Sequence, residues 1–489
     1  MRVKFELRTV IPLLAVLVAF RVHAVTDAQI NSTLLQDQER QAAVQLANGT
    51  LVFVYEDKSV TNGQILLRGF DANLTPLRGE QRVNVLTNGE RAEPVIAAFT
   101  GGGFVVAYTA GNLDGDNYAV AFRRYDANAS ALDVTDVLAN TITNAAQFRP
   151  QIAALANGGF VITWVGQSGG TGQDVYYRRF AATGTALDAT DVQANGLGAP
   201  PVTTGDQGAQ RVTTLLDGSF VIVYEDRSSD DVYGVRIAAN GVAMDAPGSP
   251  SGVKQFLVNS ATPYEQTAPA VAALTNGGFV VTFNSEPGGT ASARQVRGRI
   301  FPASGTGGAE FQIGAHANRW QDSQVAGLPN GDFVVTWQAR GEGVDAGTNT
   351  WSVFEQRFSP LGVPRFTPFM VNSYNANDQD RPTLATFANS GYLIAWESFG
   401  QDASRYGVFA RAFLPNNEIP GFLTLHVAPT TQATLVNFLG QPGRWHQLQF
   451  STNLTVWTSV LTTNPPAGVF QYVEPFSVQS NRFFRVQSL

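Results

Sequence analysis

Seven stretches of the chain share one alternation of apolar and polar positions. Each reads as a short apolar strand, a tight turn ending in glycine, and a second apolar strand ending in an aromatic. They run Val44–Tyr55, Ala97–Tyr108, Ala153–Trp164, Thr213–Tyr224, Ala272–Phe283, Ala326–Trp337 and Ala385–Trp396. Aligned on the turn, the anchors are Gly49, Gly102, Gly158, Gly218, Gly277, Gly331 and Ser390, spaced 53 to 60 residues apart. A period of this size marks stacked structural units. Asn or Asp before the glycine, as at Asn48, Asn157, Asp217, Asn276 and Asn330, predicts two-residue type I′ hairpin turns. The second strands, such as Phe160–Trp164, are rich in β-branched and aromatic residues and apolar on both faces. That suits a sheet covered on both sides.

Two more strands complete each unit. One ends in Arg near an aromatic or aliphatic residue, as in Arg68-Gly69-Phe70, Arg123-Arg124-Tyr125 and Arg299-Ile300-Phe301. The other is clearest as Phe256–Ser260 and Phe369–Ser373. Four antiparallel strands in seven units predict an all-β fold, a seven-bladed β-propeller. The last unit lacks a fourth strand after Phe413, and a matching copy stands near the N-terminus as Gln29-Ile30-Asn31-Ser32. The propeller is therefore expected to be closed by an N-terminal strand, which leaves fewer open sheet edges.

The expected organisation is a signal peptide at 1–24, the propeller at 25–414, a linker at 415–420 and a small C-terminal β-sandwich-like module at 421–489. In that module Ser451-Thr452-Asn453-Leu454-Thr455-Val456-Trp457 and Arg482-Phe483-Phe484-Arg485-Val486 resemble the STNLxxW…FFRV module of secreted proteins from Verrucomicrobia and their relatives. The seven units are similar to the LxNGGFVVxW-type repeats of secreted and surface bacterial proteins, adhesin-like ones included. Both resemblances imply an extracellular architecture and neither brings catalytic residues.

The N-terminus supports export. Arg2, Lys4 and Arg8 precede an apolar run, Thr9–Phe20, and Val22-His23-Ala24 offers a signal-peptidase site. The run is short for a membrane span. Cleavage after Ala24 would remove four basic residues and Glu6, taking the net charge from −7 to −10. An acidic chain without a basic tract argues against nucleic acid as partner. With no cysteine, disulfides, thiolate nucleophiles and Cys-ligated metals are excluded. Of the four histidines only His316 lies in the propeller, so a His-based zinc site or a Ser-His-Asp triad has almost no material there.

Candidate chemistry concentrates on one face. The Asn-Gly-type turns should share one end of the propeller, and the opposite end carries loops that differ between units. Those loops hold Glu56, Asp57, Glu225, Asp226, Trp320, Arg381 and Glu397, the expected ligand-binding residues, together with Arg40, Arg91 and Arg149. Gln38, Gln147, Gln207, Gln266 and Gln379 recur eleven residues before the anchors and read as structural bonds to loop backbone. Asp114, Asp116 and Asn117 form a loop of closely spaced oxygen ligands. No cofactor is expected, with Ca2+ at that loop the one candidate. The leading functional expectation is a secreted, non-enzymatic propeller that binds a glycan or protein ligand through the loop face. The alternative is a carbohydrate-active enzyme using carboxylates on that face.

Overall fold

The computed structural model describes residues 27–167, 172–197, 201–260, 264–286, 294–314, 320–340, 350–365, 368–403 and 405–413, and strands within 422–488. The expected signal peptide, the expected linker and His316 lie outside them. Seven four-stranded antiparallel sheets follow in chain order. In blade 1 the strands from the axis outward are Gln38–Gln45, Leu51–Asp57, Gln64–Phe70 and Gln81–Arg82. The innermost strands of blades 2 to 7 are Arg91–Ala98, Gln147–Ala154, Gln207–Thr214, Gln266–Ala273, Trp320–Gly327 and Gln379–Thr386. No helix among the described residues is long and apolar enough to cross a membrane. The C-terminal residues form two three-stranded sheets. One joins Phe422–Ala428, Ala433–Leu439 and Val469–Pro475. The other joins Thr458–Thr463, His446–Ser451 and Phe483–Ser488.

Blade 7 is completed from the other end of the chain. Ala28–Gln29 pairs with its third strand, Tyr406–Phe413, in the register Ala28↔Ala410. Asp27, just ahead of that strand, carries a buried ion pair to Arg411 at 2.5 Å and accepts hydrogen bonds from Ser373 N, Ser373 Oγ and Tyr374 N. The same arrangement recurs around the ring. Glu80, Asp136, Asp191 and Glu310 each precede an outermost strand and accept backbone N–H groups from the blade before. Asp27 is thus the seventh blade's copy of an inter-blade clasp.

The hairpin turns differ from the expected two-residue type. In all seven the residue at the anchor donates three positions back, as Gly49 N→Leu46 O (2.9 Å) and Ser390 N→Phe387 O (3.0 Å) do. The anchor has positive φ, 85° at Gly49 and 67° at Ser390, and the residue before it does not; in blade 2 Gly103 joins Gly102 in that region. This is a type I turn followed by a left-handed residue. Asn48 and Asn389 contribute through their side chains, accepting the N–H two residues on. That Asx bond holds them at negative φ.

The blades' second strands are buried, save the last residue in blades 6 and 7, and each large buried apolar side chain contributes about 1.5–3 kcal/mol. Where the second strand begins, an aromatic stacks on the one ending the third strand. Phe104–Tyr125, Phe160–Phe180, Phe279–Phe301, Phe333–Phe358 and Tyr392–Phe413 all do so, with centroids 4.8–5.2 Å apart. The recurrent Arg two residues earlier lies over that ring at Arg68, Arg123, Arg178 and Arg299. Each of these also donates to a carbonyl of the preceding blade's outer edge: Ile30, Val83, Ala139 and Val258 respectively. The repeat's Arg-aromatic signature is therefore an inter-blade staple.

Candidate functional site: a charged central funnel

Every innermost strand is interrupted by the same device. In blade 1, Glu39 pairs with Glu56 and Ala42 with Val54, so Arg40 and Gln41 together face one partner residue. This is a β-bulge. All seven bulges place a non-glycine residue in the left-handed region: Arg40, Glu93, Arg149, Ala209, Ala268, Asp322 and Arg381, with φ of 48–57°. Such a backbone costs roughly 1–2 kcal/mol per residue. Part of that cost is offset by a bond between blades. Arg40 N donates to Glu397 (2.7 Å), Glu93 N to Glu56 (2.5 Å), Ala268 N to Glu225 (3.2 Å) and Arg381 N to Gln338 (2.6 Å). Arg149 N donates to Thr109 Oγ1 at 3.1 Å and to Glu93 at 2.8 Å.

The bulges of blades 1, 2, 3, 6 and 7 line a central chamber of about 400 Å³. Its charged lining is Arg40, Arg149, Arg211 and Arg381 against Glu93 and Asp322, a local excess of cations in a chain whose net charge is −7. Three of the arginines are tied down. Arg40 meets Glu93 at 2.8 Å and Glu56 at 3.5 Å, Arg149 meets Glu93 at 3.7 Å, and Arg381 meets Glu39 at 3.1 Å and Glu397 at 3.3 Å. Arg211 bonds only the carbonyl of its neighbour Gln210, at 2.9 Å, and no carboxylate among the described residues lies within ion-pair distance. Asp322 is wetted by the channel yet walled by protein. Burial raises its carboxyl despite the attraction of Arg211, Arg381 and Arg294. Burial likewise lowers the Arg211 guanidinium, with Asp322 opposing.

A second hollow of about 470 Å³ adjoins the chamber and shares Arg40, Glu93 and Arg149 with it. Phe148 and Tyr118 supply half-buried aromatic surface there. The Arg149 guanidinium lies 5.7 Å from the Phe148 ring centre, and Tyr118 Oη donates to Glu90 at 2.8 Å. Polar groups around apolar rings suit a sugar, whose faces are apolar and whose edges carry hydroxyls.

Of the expected ligand-binding residues, Arg381 reaches the chamber. Glu56, Glu225 and Glu397 stand behind it, buried, with their carboxylates accepting the bulge N–H groups just described. Burial pushes Glu56 up to about 7 against the attraction of Arg40, and it raises Glu397 despite Arg381. Asp57 and Asp226 are buried and accept bonds from Gln38 and Gln207 at the start of their innermost strands and from the serines of the next turn. Trp320 opens the innermost strand of blade 6, where five other blades have Gln and blade 2 has Arg91; its side chain lies outside the described residues. The recurrent Gln also bonds loop carbonyls, as Gln38 does to Leu35 and Gln147 to Ala145. In the Asp114–Asn117 loop, Asp114 accepts from Asp116 N and Asn140, and Asp116 from Asn117 N and Ala145 N. Among the described residues no cluster of three or more His, Cys, Asp or Glu could hold a metal.

The chamber residues Glu93, Arg211 and Asp322 are absent from the sequence expectation. Their signal was available: Glu93 and Asp322 follow the recurrent Gln position by two residues, as Arg40, Arg149 and Arg381 do.

No known protein-family model matches this chain, nor does any curated protein. Solved structures do resemble it. The polysaccharide lyase Uly1 is 8% identical over 78% of this chain and 90% of its own, with a TM-score of 0.50. The Penicillium chrysogenum α-L-arabinanase is 13% identical over 79% and 98%, with a TM-score of 0.45. A Dyadobacter fermentans protein of unknown function is 11% identical over 69% and 99%, with a TM-score of 0.42. At such identities the likeness is one of fold. The chain is a seven-bladed β-propeller. Its distinguishing feature is a charged funnel lined by bulges of its innermost strands.

Proposed function

We propose that the protein is secreted and binds a carbohydrate polymer in the funnel and the adjoining hollow, on the face opposite the Asn-Gly turns. The observation that carries this reading is the continuity of the two cavities through Arg40, Glu93 and Arg149. A chamber of fixed guanidiniums and carboxylates runs into a shelf bearing Phe148 and Tyr118. Charged groups bond hydroxyls and aromatic faces take sugar rings, so successive residues of a chain find different surfaces. Titration calorimetry against a panel of soluble polysaccharides tests it. Saturable binding that Phe148→Ala weakens is expected. Absence of binding to every polysaccharide, beside capture of a protein ligand, would overturn it.

A carbohydrate-active enzyme is the second reading. The chamber holds two carboxyl groups, Glu93 and Asp322, and acid–base chemistry needs such a pair. Glu93 accepts from Arg40, Thr109 and Arg149 N. Burial raises Asp322 toward the protonated form. Release of new reducing or unsaturated ends by the wild type, abolished in Asp322→Asn, would establish this reading in place of simple binding.

A further inference from the structure

The seven bulge positions are not alike. Five carry long or charged side chains, and blades 4 and 5 carry Ala209 and Ala268. On that side the bulges carry small side chains in place of long ones. Two residues beyond Ala209, on the same innermost strand, stands Arg211. It is the one chamber arginine without a carboxylate in ion-pair distance among the described residues. A protein that is acidic overall has thus kept an uncommitted guanidinium in a walled cavity, on the side where two bulges carry alanine.

We propose that the Arg211 side of the chamber seats the acidic group of a charged polysaccharide, a carboxylate or a sulfate ester, while the hollow at Phe148 takes a neighbouring sugar ring. This rests on the glycan-binding reading and names its substrate class. The guanidinium fork matches the paired oxygens of either anion. The protein walls weaken solvent screening, so one charge pair counts for more than it would at the surface. Arg40, Arg149 and Arg381 spend their charge on Glu93, Glu56, Glu39 and Glu397 and hold the rim.

The test uses the full chain and an immobilised panel of uronate-containing and sulfated polysaccharides. Each is printed beside its carboxyl-reduced or desulfated counterpart. Binding to at least one acidic form, falling about tenfold or more on neutralisation, is expected. Arg211→Gln should reproduce that fall on the acidic form and leave the neutralised form unchanged, and Arg211→Lys should lie between. Phe148→Ala should weaken both forms alike. An unchanged thermal midpoint in the Arg211 variants separates a lost contact from a lost fold. Equal binding of acidic and neutralised forms, or an unaffected Arg211→Gln, would overturn the acidic seat and leave glycan binding standing. Failure of every form to bind would overturn the glycan reading itself.

Discussion

At the residue scale, Glu56 shows how a carboxylate can serve architecture from a position that looks like a rim. It follows the aromatic end of a strand, where a charged side chain would ordinarily meet water. Instead it is 2% exposed and accepts the N–H of Glu93 from the next blade. Burial raises it from 4.5 to about 7. The folded protein therefore keeps a proton that the unfolded chain releases. The stability tied to that proton is complete below pH of about 4.5 and is lost as pH rises through about 7. Glu56→Gln keeps an acceptor for the bulge, as Gln338 does natively in blade 6, and removes the titration. Denaturant unfolding should show the variant gaining on the wild type between about pH 5 and pH 8, by on the order of 3 kcal/mol. Glu56→Ala leaves the bulge N–H unpaired and should cost about 1–3 kcal/mol at pH 5.

At the scale of the element, the hairpin turn and the bulge were not equally legible. The turn is local. Gly49 and its equivalents need only neighbours within five residues, so position and pairing could be read from the chain. The turn type could not, because it depends on whether Asn48 itself enters positive φ, and its side-chain bond to Thr50 prevents that. Ser390 occupies the glycine position at φ 67°. Ser390→Gly should raise stability by about 0.5–1 kcal/mol. The reverse change, Gly49→Ala, should cost about 1 kcal/mol although a Cβ there meets nothing within 4 Å. Thermal melts of the two variants check both signs. The bulge lacks such a composition signal. Arg, Glu, Ala and Asp share one backbone state at that position, and for Arg40, Glu93, Arg149, Ala268 and Arg381 the acceptor comes from another blade, as much as 357 residues away for Glu397 and Arg40. Pattern reading therefore found the acids Glu56, Glu225 and Glu397 and could not see the amides they face. The same distance kept Arg211 and Asp322 apart until the ring brought their strands to one channel.

For the whole molecule, closure was the best-read feature, since the missing outer strand of blade 7 and the spare copy near the N-terminus are both visible in the chain. Less visible was how the closure is held. Asp27 and Arg411 are 0% and 2% exposed at their side chains, and removing one partner of a buried pair typically costs 3–5 kcal/mol. Asp27→Ala should fall in that range by chemical denaturation. Replacing the Ala28–Gln29 strand with glycine and serine should expose the edge of Tyr406–Phe413, detected as protease nicking in blade 7 and self-association on size exclusion.

The same closure has a consequence in time. The strand that ends the ring is the first of the described residues to be synthesised, and its partner, Ala410, follows 382 positions later. Six blades can assemble from neighbouring segments as they emerge, whereas the seventh must wait for nearly the whole propeller. Joining ends that far apart costs roughly 5 kcal/mol of chain entropy if the intervening chain is loose, and much less once six blades have curved it round. The last blade is therefore expected to form late, and the protein to have a lifetime as an open arc with a waiting edge at each end.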